Sequence, residues 1–387
     1  MARRIRQVPT LSHLTLSGAK GSLSHPLEAP GGSLWYSGQI AIWQGVRALG
    51  LKEGDRVLVP AYCCGSEIDA LLKAGLELSY YRVGSDLVPD FDHIEQLCGE
   101  PARALFIIHY FGLPQPIDEL LAIAENHGMA LIEDNAHGLC SYDEKGRPLG
   151  SLGDVCIFSF TKTLSIPDGG ALVFGRGAGG MERTLMSEPP SFLTTAGKLA
   201  RIVRGAVSHG VPVAANVVRR ARMILGSGTD EDEFAERLPP EADLEKNALD
   251  IDRASWRMSS ISRYLLRHTE HDTIRDIRRR NFTLLSERFE GGRLVRPLFS
   301  QLPPGCSPMM FPVWVEEPLA LLRHLFKAGI ESDIFWEFTH PAVSMEPFAF
   351  EDDLKKRCIE IPVHQCLDED DMAVIAGALN SWNANPA

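Results

Sequence analysis

At 387 residues, 44% of them hydrophobic and 23% charged, the chain has material for a large core and for two domains. A net charge of −12 argues against general binding to nucleic acid, and no run reaches the roughly 18 apolar residues of a membrane-spanning helix. The basic start, MARRIRQVPTLSHL, lacks the apolar core of a signal peptide, and the eight cysteines include no CxxC pair, so a reduced, cytoplasmic protein without a transmembrane anchor is expected.

Residues 1–32 read as an irregular N-terminal arm. Ser37-Gly38 then precedes an amphipathic segment from Gln39 to Leu49. Strands are expected at Arg56–Tyr62, Leu76–Val83, Ala104–Tyr110, Ala130–Glu133 and Asp154–Phe160, with helices near Glu67–Ala74, Phe91–Cys98 and Ile117–His127 between the earlier ones. Apolar strands separated by helices of about ten residues indicate a mostly parallel, buried sheet flanked by helices. Helical pattern resumes from Ala254 to Phe289. The last hundred residues mix short strands (Met310–Val315, Ile359–Val363) with helices (Leu319–Ala328, Glu369–Trp382). The expected organisation is an arm (1–32), a large α/β domain (33–250) carrying a basic helical insertion at about 181–240, and a smaller α+β domain (251–387).

Three clusters in the sheet region can carry chemistry. Ser37 is a candidate N-cap, and the backbone N–H groups of Gly38 and Gln39 behind it form an anion site suited to a phosphate. Glu133-Asp134-Asn135-Ala136-His137 sits at the C-terminal end of an apolar strand, where a parallel sheet presents ligand-binding groups; a loop carboxylate capping the next turn is the plainer alternative. Finally, FSFTKTLSIPDGG (158–170) delivers Ser159 and Lys162 into a short loop. A lysine beside a buried strand can be desolvated and act as a nucleophilic amine. An anion site, a buried carboxylate and an amine together are what pyridoxal phosphate requires: the phosphate needs donors, the aldehyde a lysine, and the pyridine nitrogen a carboxylate.

The stretches GDRVLVPAY (54–62), IIHYFGLPQPIDELLAIAENHGMALIEDNAHG (107–138), LGSLGDVCIFSF (149–160) and KTLSIPDGG (162–170) resemble the DegT/StrS family of pyridoxal-phosphate-dependent sugar aminotransferases, in a divergent branch. Weaker echoes are RMSSIS (257–262), Gly329–His340 and IPVH (361–364). The resemblance implies fold type I, Lys162 as the Schiff-base lysine, Asp134 as partner of the pyridine nitrogen, and His137 near the ring oxygen. It also implies phosphate contacts from Ser159, Gly38 and Gln39, and a homodimer with shared sites. It further implies transfer of an amino group, often from glutamate, to a keto group of a nucleotide-linked sugar in cell-surface polysaccharide or secondary-metabolite biosynthesis.

The chain departs from the family pattern at several positions. Gln39 stands where a threonine is usual, Cys64 where an aromatic stacks on the cofactor ring, and Ser255 where the neighbouring subunit usually supplies an asparagine. Tyr62 is then the expected substitute for the stacking ring, and Tyr62 and His340 are the expected substrate contacts. A dehydratase or deoxygenase of the same fold, and a non-catalytic cofactor-binding paralogue, are the alternatives; the first tends to replace the lysine by histidine. The GxGxxG match at Gly175–Gly180 is followed by an interruption at Pro189-Pro190, lacks a second strand and an acid about twenty residues on, and reads as a loop. His109, His127, His340 and His364 lack metal-ligand spacing, and no metal is expected. Residues 191–228, basic and without an acid, read as a helical hairpin packed on the enzyme, with a nucleotide-sugar cap or peripheral contact with an anionic membrane as the functional alternatives.

Overall fold

The computed structural model describes residues 4–10, 26, 29, 32–175, 187–207 and 248–384. The first part alternates as the sequence pattern requires: β1 (Ser33–Trp35), α1 (Gly38–Ala48), β2 (Arg56–Pro60), α2 (Ser66–Lys73), β3 (Glu77–Tyr81), α3 (Phe91–Leu97), β4 (Ala104–Ile108), α4 (Ile117–Asn126), β5 (Ala130–Asp134), β6 (Val155–Ser159) and β7 (Gly170–Val173). These strands form one sheet in the order β1-β7-β6-β5-β4-β2-β3. β3, β2, β4, β5 and β6 run parallel, while β7 and β1 are antiparallel to their neighbours. All five residues of β4 are buried, the mark of a strand covered on both faces.

The chain continues through α5 (Phe192–Val207), α6 (Ser260–Arg267), α7 (His271–Arg288), β8 (Val295–Pro297), β9 (Phe311–Val315), α8 (Pro318–Lys327), β10 (Asp333–Ile334), α9 (Ala349–Arg357), β11 (Cys358–Ile361) and α10 (Glu369–Ala384). A second, antiparallel sheet has the order β10-β11-β9-β8. It has its own core, in which Phe311, Val313 and Ile361 pack against Leu285, Leu325 and Trp382. Two packed layers around separate cores give the α/β fold with a smaller α+β part expected from the sequence.

Most elements lie within one or two residues of their expected bounds. The helical stretch expected over Ala254–Phe289 is instead two helices. Thr269, whose hydroxyl donates to the carbonyl of Leu265, sits in the break, and Ser259 caps the first helix by accepting from Ser262 N–H. β1, β8, β10 and α9 had no strong local pattern. β1 is only three residues long and is held by pairing with β7. Of the hairpin expected at 191–228, the first helix is present as α5; residues 208–228 lie outside the described residues, as do 176–180 of the GxGxxG match. Among the described residues, no helix is long and apolar enough to cross a membrane.

Candidate active site

The C-terminal ends of the parallel strands converge on a cavity of about 250 Å³ lined by residues of α1, the β2–α2 turn, β5, β6 and the loop after β6. Among the residues lining it are Ser37, Gly38, Gln39, Cys64, Asp134, His137, Ser159 and Lys162. Eight residues from four stretches of the sequence therefore meet at one sheet edge, where open α/β folds bind ligands.

The anion end is built by α1. Ser37 is extended (φ −151°, ψ 165°), and its hydroxyl accepts from Ile40 N–H at 3.3 Å, so it caps the helix as expected. The first turn, Gly38 and Gln39, thereby faces the cavity with the positive end of the helix dipole. Ser159, the last residue of β6, adds a hydroxyl beside it. β7 in turn approaches the start of α1 so closely that a Cβ on Gly170 would lie 2.5 Å from the Ser37 carbonyl. A glycine at position 170 is needed for that approach.

At the other end, β5 presents two adjacent carboxylates with opposite fates. Glu133 is wholly bonded: Oε1 accepts from Gly150 N–H (2.6 Å) and His109 Nε2–H (2.9 Å), and Oε2 accepts from Leu152 and Gly153 N–H (2.9 and 2.8 Å). Burial opposes its ionisation, but the His109 bond and these backbone donors override it and bring its pKa down to about 2. Asp134 is one residue on and therefore faces the other side of the pleat; its carboxylate accepts one hydrogen bond among the described residues, from Ala136 N–H to Oδ1 at 2.8 Å. Burial pushes its pKa up to about 6, the charge of Glu67 adding to the rise and the Lys162 ammonium opposing it. Glu133 is thus a structural staple, and Asp134 a desolvated acid open to a cationic partner.

Lys162 closes a single 3₁₀ turn, Phe160–Lys162, immediately after β6. Its Nζ lies 3.0 Å from His137 Nε2. The other ring nitrogen of His137 accepts from Phe111 N–H at 3.2 Å, which makes Nε2 the protonated nitrogen of the neutral ring and a donor toward Nζ whenever the lysine is a free amine. Burial, then the neighbouring Lys162 charge, hold His137 well below its ordinary pKa, consistent with a neutral imidazole. Phe111 itself takes the rare left-handed conformation (φ 56°).

Two sequence expectations change. Tyr62 lines no part of the cavity: it is fully buried, and its ring packs on Tyr110 at 5.4 Å and Trp336 at 5.1 Å. His340 also lies outside. Its Nδ1 accepts from Ala342 N–H, and Nε2 sits 3.9 Å from Asp69 Oδ1, so it belongs to a contact between the α2 turn and the 335–340 segment. Ser255 donates its hydroxyl to the Glu188 carboxylate of its own chain.

Cys64 does line the cavity, but its thiol is held by Glu67 Oε2 (2.6 Å) and Ser66 Oγ (2.7 Å). Burial and the Glu67 charge push its pKa up to about 12. It is a neutral wall, neither a nucleophile nor an aromatic surface. Glu67 and Trp336 were missed in the sequence. Glu67 reads locally as an ordinary first-turn acid of a helix, and Trp336 comes from the segment after β10, some 170 residues beyond Lys162. A second cavity of about 350 Å³ shares Thr161, Lys162 and Trp336 with the first and is also lined by Arg278, Phe335, Glu360 and His364.

The group these residues fit is pyridoxal phosphate. A helix N-terminus with a hydroxyl beside it suits the phosphate. The carboxylate of Asp134, desolvated and without a cationic hydrogen-bond partner among the described residues, suits the protonated ring nitrogen, and the amine of Lys162 suits the aldehyde.

Comparison with known proteins agrees. The sequence model of the DegT/DnrJ/EryC1/StrS aminotransferase family matches residues 35–181. A GDP-perosamine synthase from Vibrio cholerae is 27% identical over 140 residues, 35% of this chain and 38% of that protein. Among solved structures, DesV of S. venezuelae has a TM-score of 0.63 at 21% identity, covering 92% of this chain and 85% of its own. The sugar aminotransferase Spr1654 of Streptococcus pneumoniae in its PLP-form has a TM-score of 0.69 at 16% identity, covering 99% and 98%. At these identities the structural likeness establishes the fold.

Proposed function

We propose that this chain, whose residues 35–181 match the model of the DegT/DnrJ/EryC1/StrS aminotransferase family, is a pyridoxal-phosphate-dependent aminotransferase acting on a nucleotide-linked ketosugar. The observation that carries the reading is the convergence of Lys162 and Asp134 on one cavity with the N-terminus of α1. In this reading the first sheet is the core of a cofactor domain over 33–250, and the second that of a smaller domain over 251–387.

Pyridoxal phosphate supplies an electron-accepting ring and an aldehyde carbon that takes the amino group from one substrate and gives it to the next. The protein's part is to orient and to move protons. Gly38, Gln39, Ser37 and Ser159 hold the phosphate by N–H and hydroxyl donation. Asp134, ionised once a cation faces it, keeps the ring nitrogen protonated. Lys162 holds the cofactor between turnovers. Released as a free amine, its Nζ is the base that removes the Cα proton of the amino-acid donor, glutamate in this reading, and later returns a proton to the former keto carbon of the acceptor. His137 Nε2–H, 3.0 Å from Nζ, holds that amine in place. The substrate is taken from the second cavity, which meets the first at Lys162. A second copy of the chain completes the site in a homodimer.

The test uses purified protein reconstituted with the cofactor. Borohydride should trap the cofactor on Lys162, and Lys162→Ala should lose the reducible absorbance. A panel of nucleotide ketosugars, offered to the protein loaded with pyridoxamine phosphate, should then regenerate the aldehyde spectrum with at least one member. Trapping on another lysine would refute the Lys162 assignment, and a panel without any response would refute the acceptor.

A further inference from the structure

The cofactor cavity needs an apolar, polarisable wall, and the residue at the position from which one was expected cannot provide it: Cys64 is tied to Glu67 and Ser66. Among the described residues lining this cavity the one aromatic carbocycle is Trp336, which also lines the second cavity. Its ring centroid lies 5.9 Å from Lys162 Nζ and 5.2 Å from the His137 ring. Tyr62 and Tyr110 back it from the core side at 5.1 and 5.9 Å, and Phe335 stacks on it at 4.6 Å. Trp336 is only half-buried and has a left-handed backbone (φ 61°), which is unfavourable for a bulky residue and persists only where surrounding contacts impose it.

Those contacts centre on Lys355 of α9. The side chain is 2% exposed, and its ammonium donates to the carbonyls of Cys63 (2.6 Å), Phe338 (2.8 Å) and Trp336 itself (3.0 Å). Three acceptors satisfy all three ammonium donors, and no carboxylate pairs with it among the described residues. A buried ammonium is tolerated only when so completely bonded. Here the bonds join the β2–α2 turn to Trp336 and to Phe338 just beyond it. The same two segments interlock at Gly65 (φ 88°), where a Cβ would lie 2.8 Å from the Phe338 ring.

We propose that Trp336 supplies the aromatic surface of the cofactor cavity, in place of the residue lost at Cys64, and that Lys355 is the positioning residue that holds it there. The inference rests on the pyridoxal-phosphate reading. It assigns a ring from the second sheet's part of the chain to a site otherwise built from the first.

The experiment is a titration of cofactor-free protein with pyridoxal phosphate, followed by absorbance and by tryptophan emission. The chain has six tryptophans, and the other five line neither cavity. Trp336→Leu should weaken cofactor binding about three- to tenfold, the range of an aromatic contact, and remove the largest part of the emission quenching. Trp336→Phe should retain affinity within about threefold. Lys355→Met, although it touches neither cavity, should weaken binding like Trp336→Leu and lower the quenching. Combined with Trp336→Leu it should add nothing, because both act through one ring. Thermal unfolding identifies variants that fail to fold; should Lys355→Met do so, Lys355→Gln serves in its place with an intermediate loss. Wild-type affinity and quenching in Trp336→Leu would overturn the assignment of the ring. Independent, multiplying losses in the double variant would overturn the role of Lys355. A wild-type protein that forms no reducible absorbance band would instead refute the pyridoxal-phosphate reading beneath both.

Discussion

Asp134→Asn separates a carboxylate kept for function from one kept for stability, because the two roles have opposite signs in the cofactor-free protein. Burial raises the Asp134 pKa from 3.8 to about 6. A shift of about two units corresponds to about 3 kcal/mol. Because the folded state binds the proton more tightly than the unfolded chain, the acid weakens the fold wherever it must ionise. The penalty is absent below about pH 4, grows as pH rises toward the folded pKa, and is fully present above it. Asparagine keeps the shape and the acceptor for Ala136 N–H without the charge. Cofactor-free Asp134→Asn should therefore match wild type near pH 4 and become more stable by up to about 3 kcal/mol at pH 8, raising the unfolding midpoint by a few degrees. The loaded enzyme should show the reverse in function. Turnover should fall by orders of magnitude, more than cofactor affinity, since the ring nitrogen loses the charge that keeps it protonated. Chemical and thermal unfolding across pH 4–8, paired with single-turnover absorbance, measures both halves. A variant less stable than wild type at pH 8, or one with unchanged turnover, would refute the reasoning.

Glu133→Gln, one residue away, should destabilise the protein at pH 7 by about 3 kcal/mol, since the wild-type carboxylate has its pKa lowered from 4.5 to about 2; this difference is present above about pH 4.5 and fades as pH falls toward 2, as unfolding with and without the substitution will show. Ser159→Ala should weaken pyridoxal phosphate about tenfold, the cost of one charge-assisted hydrogen bond, while leaving unphosphorylated pyridoxal unaffected; equal losses for both would place the serine elsewhere. Sedimentation of the active enzyme should give a dimer, and a fully active monomer at nanomolar concentration would remove the partner subunit from the site.

The parallel sheet and the three polar clusters at its edge were legible because each depends on neighbours in sequence. β4 and β5 are apolar runs of strand length, Ser37 caps the helix that it immediately precedes, and Lys162 follows its strand by three residues. Local pattern also brought Asp134, His137 and Ser159 to strand ends, where a parallel sheet places its ligands. It could not separate Glu133 from Asp134: both are acids at the end of β5, and only the convergence of Gly150, Leu152, Gly153 and His109 on one of them distinguishes the staple from the open acid. The aromatic wall was out of reach for the same reason. Tyr62 is near Cys64 in sequence but points into the core, while Trp336 reaches the cavity from a segment with a two-residue strand and no periodicity. The sequence by itself determined the elements, the sheet and the residues at its carboxyl edge, since pleat, helix period and capping act over a few residues. The tertiary structure alone decided which buried groups are satisfied and which face the cavity, because that depends on carbonyls and rings brought together from far apart in the chain, across 292 positions between Lys355 and Cys63.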